Sequence, residues 1–155
     1  MSHLPPYSAL LQEGGAFVDK AGALSELGRR MWLSVPILVS NTYTPDLTNA
    51  ANVAASTAYA CQYARVGSFV TVSGQVAIDP TAVATLTRLG ISLPIPSSLS
   101  AAEQVGGTAA QPDLAGAVAA IRGDATTDRA ELAYTTGADV ANRIWSFSFG
   151  YRVVT

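Results

Sequence analysis

The chain has 155 residues, of which 49% are hydrophobic and only 13% charged, and its net charge is −2. This length supports one domain with a sizeable core, and the lack of a basic cluster beyond Arg29-Arg30 argues against a nucleic-acid site. No apolar run approaches a membrane span and the N-terminus lacks a secretory pattern, so we expect folding in a cytoplasm without membrane insertion. The low fraction of charged residues also predicts that a partner, such as an identical subunit, covers part of the surface.

Residues 1–40 are predicted to form an N-terminal arm that docks onto a partner. A short helix is predicted over residues 23–35, because apolar residues recur there at helical spacing and Pro36 ends the pattern. Gly28 in its interior costs about 1 kcal/mol relative to alanine, so the helix needs packing from outside itself. The candidate docking residues of the arm are Tyr7, Phe17, Leu24, Leu27, Met31 and Trp32.

From residue 41 to residue 155 the pattern changes to short strands. Residues 37–41 are predicted to be a linker or a first strand, and residues 49–52 are predicted to be a loop. Residues 42–47 between them are predicted to be a β-like segment, which Pro45 restricts to the edge of a sheet. Alternation predicts strands over 58–66 and 69–78, joined by a two-residue turn at Gly67-Ser68. Alternating apolar residues predict a further strand over 89–93.

The C-terminal third contains the clearest strand. Residues 98–108 are predicted as a loop with one helical turn. Residues 114–123 are rich in alanine, which favours a helix, but we interpret this segment as a strand. A hairpin connection at 123–128 leads to a strand over 129–135. In the last strand, residues 141–154, one face is aromatic and the other mostly small or polar. The aromatic face is predicted to be core, and the small face to allow close approach of a neighbouring sheet or subunit.

Seven or eight strands without strand–helix alternation predict an all-β fold. We expect an antiparallel β-sandwich of jelly-roll type over residues 41–155, preceded by the extended arm with its short helix. An immunoglobulin-like sandwich is the alternative, although the paired cysteines of that fold are missing.

Candidate chemistry is sparse. His3 is the only histidine, and lone Cys61 is interpreted as a small buried hydrophobe without disulfide or metal partners. The carboxylates fall mainly in predicted turns, where aspartate caps backbone groups; Asp124 and Asp128 flank one such turn. We therefore expect no catalytic residues, no metal and no cofactor.

Four aromatic residues are candidates for contacts with a glycan or a subunit. Aromatic rings on a β-sandwich can stack on sugars, but rings on alternating strand faces more often pack in a core or a subunit interface. The four candidates are Tyr59, Tyr63, Trp145 and Tyr151.

Two stretches resemble proteins of tailed bacteriophages. The segment NTYTPDLTN at residues 41–49, continued over 54–67, 70–76, 89–95 and 123–130, resembles a recurrent module of phage and prophage proteins that covers most of residues 41–155. Pro5-Pro6-Tyr7, Phe17-Val18-Asp19, Gly22 and Arg30-Met31-Trp32-Leu33 are similar to the N-terminal arm of some phage appendage proteins.

The resemblance implies a non-enzymatic structural protein of the virion, assembled in the host cytoplasm. It favours a trimeric appendage of tail-fibre type, docked to the particle through the N-terminal arm. A capsid decoration protein and a host-glycan-binding module are the alternatives, and an enzyme such as a depolymerase is disfavoured. The expected partners are identical subunits in a homotrimer, other virion proteins of the tail or capsid surface and, for the last alternative, a host surface glycan.

Overall fold

The computed structural model describes residues 38–154, with side chains from Val39 onward. The fold is all-β and antiparallel, which confirms the predicted class. A 3₁₀ turn, Ala102–Gln104, precedes the seventh strand. The ten strands are β1 (Leu38–Tyr43), β2 (Leu47–Ala51), β3 (Val53–Ala58), β4 (Cys61–Val66), β5 (Phe69–Pro80), β6 (Leu86–Ser92), β7 (Val105–Ala110), β8 (Val118–Asp124), β9 (Arg129–Thr135) and β10 (Arg143–Arg152).

The strands form one sheet that curls back on itself. Its order is β1-β4-β5-β10-β7-β8-β9-β6-β2, and β3 lies off this path. β4 pairs with the first half of β5 and β3 with the second half, while β10 runs along the other edge of β5. Because β3 follows β2 after one residue, the chain leads from the end of the sheet back to β5.

The aromatic face of β10 lies at the centre of the core, as predicted. Trp145, Phe147, Phe149 and Tyr151 are all buried, and the rings of Phe147 and Phe149 stack with centroids 5.7 Å apart. Burying a large apolar side chain contributes about 1.5–3 kcal/mol. The face is therefore a principal source of stability. Val70, Val72 and Val76 of β5 lie beside it on the same side of the sheet. The other larger side chains of the core are Cys61, Ile78, Leu89, Ile91, Leu99, Val105, Ile121 and Leu132.

A corner at Asn52 replaces the loop predicted at residues 49–52. That prediction is wrong, because β2 extends to Ala51 and β3 begins at Val53. Asn52 has a φ of 53°, in the left-handed region that asparagine tolerates better than most residues. The backbone therefore turns within one residue, from pairing with β6 to pairing with β5.

The prediction of a loop over residues 98–108 is also wrong for the second half of that range, because β7 begins at Val105. Gly106-Gly107 is typical of turns, but Gly107 lies opposite Phe149 of β10, where a Cβ atom would overlap the backbone and Cβ of Phe149. The glycine is therefore required by close packing between strands. The strand interpretation of the alanine-rich segment is confirmed over β8, but β8 starts at Val118, so residues 114–117 are not part of it.

The predicted domain boundary after residue 40 needs one correction. Residues 38–40 belong to β1 and not to the arm. The rest of the predicted arm, including the helix over 23–35, lies outside the described residues.

Candidate assembly surface

Outward side chains in the middle of β1, β4, β5, β10 and β7 form one uncharged face, which we call the hydroxyl face; Arg152, opposite Phe69 at the end of β10, borders it. Strand register aligns them in rows, because residues opposite each other in antiparallel pairs point to the same side. The rows are Thr42, Gln62, Ser73, Ser148 and Thr108; Ser40, Ala64, Thr71, Gly150 and Gly106; and Gln75, Ser146 and Ala110.

The hydroxyl face has low relief because its side chains are small. Two adjoining shallow depressions, of about 490 and 660 Å³, lie along it and share Thr71 and Ser148; the first has no charged residue in its lining, and the second reaches Glu103 and Arg152 at the border of the face. Phe69 is the one large ring at this face; it is 50% exposed and lies over Gly150, where a Cβ atom would come within 2.7 Å of its ring. Hydroxyl and amide groups here can donate or accept hydrogen bonds, and methyl groups can pack, without bringing charge into a contact.

Charged side chains begin at β8, beside the hydroxyl face. Arg122 donates from Nε and Nη2 to Oε1 of Glu131, at 3.0 and 2.9 Å. Arg88 Nε lies 3.8 Å from the same oxygen. Glu131 is only 8% exposed, so this cluster holds a nearly buried carboxylate between two arginines. It limits the uncharged surface to the β1–β7 side of the sheet.

Two of the four predicted aromatic contact residues are in the core. Trp145 and Tyr151 are each 1% exposed, so the prediction that they contact a glycan or subunit is wrong, and the core interpretation is confirmed. The Tyr151 hydroxyl donates to Ile95 O at 2.7 Å and accepts from Ile95 N at 3.1 Å. Burial raises the pKa of Tyr151 to about 12. The ring is therefore fixed by packing and by hydrogen bonds at its polar end.

The other two predicted aromatic residues remain at the surface to different degrees. Tyr63 is half-buried and packs edge-to-face against Tyr43, with ring centroids 6.0 Å apart. Tyr59 is 41% exposed. Since the structure does not bring Tyr59, Tyr63, Trp145 and Tyr151 together on one surface, they form no stacking platform.

The acidic residues of the β8–β9 connection cap backbone groups, as predicted. Asp124 accepts from Thr126 N and from the Thr127 hydroxyl, and the Thr127 bond is the main reason that its pKa is lowered. Asp128 Oδ1 accepts from Leu99 N at 2.6 Å. Within residues 38–154, His, Cys, Asp and Glu side chains form no group of three that could hold a metal ion.

Cys61 is a buried hydrophobe, as predicted. Its thiol is fully buried and donates to Tyr59 O at 3.3 Å. Burial raises the pKa of this thiol. A Cβ atom added to Gly74 would overlap the sulfur, so Gly74 leaves the room that Cys61 occupies.

Six predicted site residues cannot be placed. Tyr7, Phe17, Leu24, Leu27, Met31 and Trp32 lie outside the described residues. In the part of the chain that the structure describes, no helix has the length and apolar content that crossing a membrane requires. Comparisons with protein-family models, with curated proteins and with solved structures give no match.

Proposed function

We propose that the protein is a non-enzymatic structural component of a bacteriophage virion. It forms a homotrimeric appendage of tail-fibre type, docked to the particle through the arm at residues 1–40. The hydroxyl face is the observation that carries the assembly part of this proposal. The resemblance of residues 41–155 to a phage module supports the virion part.

The physical case for assembly rests on the chemistry of the hydroxyl face. Charged residues are depleted from the centres of protein interfaces, because each charge must lose its hydration on contact. The rows of this face, such as Ser73, Ser148 and Thr108, contain no charge, and apart from Gln62 and Gln75 their side chains are short. Short side chains lose little rotamer entropy when a partner covers them. A wide surface of this kind is suited to repeated contacts with other protein surfaces.

The finer architecture is part of the proposal. We expect the two halves of the curled sheet to face each other as the two layers of a jelly-roll sandwich. One of these layers contains β1, β4, β5, β10 and β7. The inward apolar residues of both halves of the strand order, such as Val72 on β5 and Leu89 on β6, belong to one core cluster, which supports this arrangement. An experimental structure should contain two facing layers about 10 Å apart. A round cross-section without two layers would refute the sandwich.

A capsid decoration protein is the alternative location for the same assembly chemistry. Antibody labelling of purified particles in the electron microscope distinguishes the two. Label on the tail supports the appendage, label over the head supports decoration, and unlabelled particles contradict a virion role. The glycan-binding alternative is weakened, because Trp145 and Tyr151 are buried.

Oligomeric state and docking are tested on the purified chain. Light scattering should give the mass of three chains of 16.0 kDa each. A clean monomer at micromolar concentration would contradict the homotrimer. Deleting residues 1–36 should leave a folded β-domain that no longer joins particles, and Trp32→Ala should weaken joining, since buried tryptophans are frequent interface anchors. If the truncated chain still joins particles, the arm is not the anchor.

A further inference from the structure

Three strands in the described part of the sheet pair along one edge only. Within residues 38–154, β1 pairs only with β4, β2 only with β6, and β3 only with β5. A free edge exposes backbone N–H and C=O groups that can pair with another strand, and proteins usually protect it with lysine, proline or a bulge. β1 and β2 contain no charged residue and no proline. The pairing of β2 is irregular only between Asn49 and Ala51.

A groove runs along the free edge of β2. It lies between β2 and β3, has a volume of about 710 Å³, and receives no side chain from β5 or β6. It is therefore on the side of β2 that faces away from the sheet. Near the corner, the Ser56 hydroxyl bonds to Asn49 Oδ1 at 2.6 Å and joins the two strands, and the groove extends from there. Its lining residues are Pro45, Asp46, Leu47, Thr48, Asn49, Ala55, Ser56 and Ala58.

We propose that β1 of one copy of the chain pairs with the free edge of β2 in the next copy, seated in this groove. The inference rests on the homotrimer of the proposed function and identifies the surfaces that meet in it. β1 has six residues and β2 has five, so their lengths match at roughly 17–20 Å. Asp46 is the one charged residue of the groove, and uncharged β1 brings no like charge to it.

Symmetry favours this pairing over pairing of β1 with itself. A two-fold contact between two β1 strands would leave the β2 edge of both copies open. A head-to-tail contact uses the free edges of both β1 and β2 in every copy, and it closes into a ring when the rotation between copies allows it. A closed ring of three copies leaves the edges of β1 and β2 paired, and a β1 strand seated in the groove also covers the edge of β3 that borders it, so that no strand edge of the described sheet remains open to uncontrolled strand addition.

The test uses two full-length variants, each blocking one edge. The edge variant carries Ser40→Lys and Thr42→Lys on β1, and the groove variant carries Thr48→Arg and Ala55→Arg. All four positions are exposed, so folding should be retained, and circular dichroism checks it. At a concentration where the unchanged chain is trimeric, light scattering should report a monomer for each variant alone. An equimolar mixture should give dimers containing one copy of each variant, because only one competent contact remains.

Two matched controls place a lysine on the sheet away from both edges. Ala120→Lys on β8 should leave the trimer intact, and Thr108→Lys tests the β7 end of the hydroxyl face. If the groove variant stays trimeric while Thr108→Lys dissociates, the proposal is refuted and the homotrimer stands, whatever the edge variant does, because Ser40 and Thr42 also belong to rows of the hydroxyl face. If the groove variant dimerises alone, β1 pairs with itself and the proposal is likewise refuted. A monomeric unchanged chain refutes both the pairing and the homotrimer, whereas particle labelling still tests the virion role.

Cross-linking keeps the test valid if a blocked variant misfolds. A Thr42→Cys chain is mixed with a Thr48→Cys chain and treated with a short bis-maleimide. Cross-links between the two kinds of chain support the pairing. Cross-links confined to Thr42→Cys chains support pairing of β1 with itself and overturn the proposal. Native Cys61 is buried and should not react.

Discussion

Replacing Asn52 tests whether the corner between β2 and β3 depends on one side chain. The Asn52 amide group donates to the hydroxyls of Thr87 and Thr136, at 2.7 and 3.0 Å. Its carbonyl oxygen accepts from Ala82 N and the Thr81 hydroxyl, at 2.8 and 2.6 Å. Asn52→Gly removes these bonds but keeps the backbone free to adopt positive φ. Asn52→Ala removes the bonds and also disfavours the observed φ of 53°.

The magnitude follows from which bonds are buried. Thr87 is fully buried and Thr136 is 5% exposed, so the hydroxyl partners of both bonds are shielded from competing water, although Asn52 itself is partly exposed. Each buried bond contributes about 0.5–1.5 kcal/mol, and the bonds to the exposed 81–82 segment contribute less. We therefore expect Asn52→Gly to lower the free energy of unfolding by about 2–3 kcal/mol. Asn52→Ala should cost about 1 kcal/mol more, because its backbone is strained at positive φ.

Urea unfolding followed by far-ultraviolet circular dichroism measures both differences. Asn142, an exposed asparagine before β10, supplies matched controls, and Asn142→Gly and Asn142→Ala should each change stability by less than about 0.5 kcal/mol. Equal losses for Asn52→Gly and Asn52→Ala would refute the argument from φ. Losses below about 1 kcal/mol in both would refute the claim that the side chain holds the corner.

Two further predictions concern packing and pH, and both use the same unfolding assay. Gly107→Ala should destabilise the protein by about 2 kcal/mol or more, because the added methyl group meets the backbone of Phe149. Gly150→Ala should cost less than about 1 kcal/mol, because the added methyl group meets only the half-exposed ring of Phe69, which can move. Equal losses of stability in the two variants would contradict this explanation. The raised pKa of Tyr151, about 12, means that the unfolded chain loses this proton at a lower pH than the folded chain, so stability should fall as pH rises from 10 to about 12. Tyr151→Phe should make that fall smaller and lower stability at neutral pH; part of the fall remains, because burial also raises the pKa values of Tyr43 and Tyr134. A fall of unchanged size would contradict the assignment.

The sequence allowed β10 to be predicted well, because its signal is local. Five alternate positions, from Trp145 to Val153, are apolar, and this period is incompatible with one face of a helix. The capping roles of Asp124 and Asp128 were also predictable, since aspartate in a turn bonds to nearby backbone. Such features depend on residues close in sequence, so one stretch contains the whole signal.

The strands that were missed lack a local signal. β7 reads VGGTAA, and its glycine pair is typical of a turn; it is a strand because β10 and β8 pair with it on either side. β3 reads VAASTA, and its mostly exposed side chains give no contrast between its two faces. Its pairing with the end of β5 depends on the corner at Asn52. Tertiary pairing therefore decides both strands, against weak local preference.

The hydroxyl face could be predicted only in part, for the same reason. The small face of β10, with Ser146, Ser148 and Gly150, was recognised as a place for close approach. That β5 and β7 flank it, and that β4 and β1 extend it, depends on pairing between distant segments, such as Gln75 with Ser146. Alternation within one strand shows which side chains share a face, but it contains no information about the neighbouring strand.

The low charge of the chain is distributed unevenly, and this distribution links the fold to the proposed assembly. The Arg122–Glu131–Arg88 cluster lies on β8, β9 and β6, whereas the rows of the hydroxyl face, and the strands β1 and β2, contain no charged residue. Natural sheets commonly place charge on exposed faces and edges to prevent association. A chain whose described sheet has no charged residue on β1 or β2 avoids uncontrolled aggregation if these two strands pair in a closed assembly of fixed size.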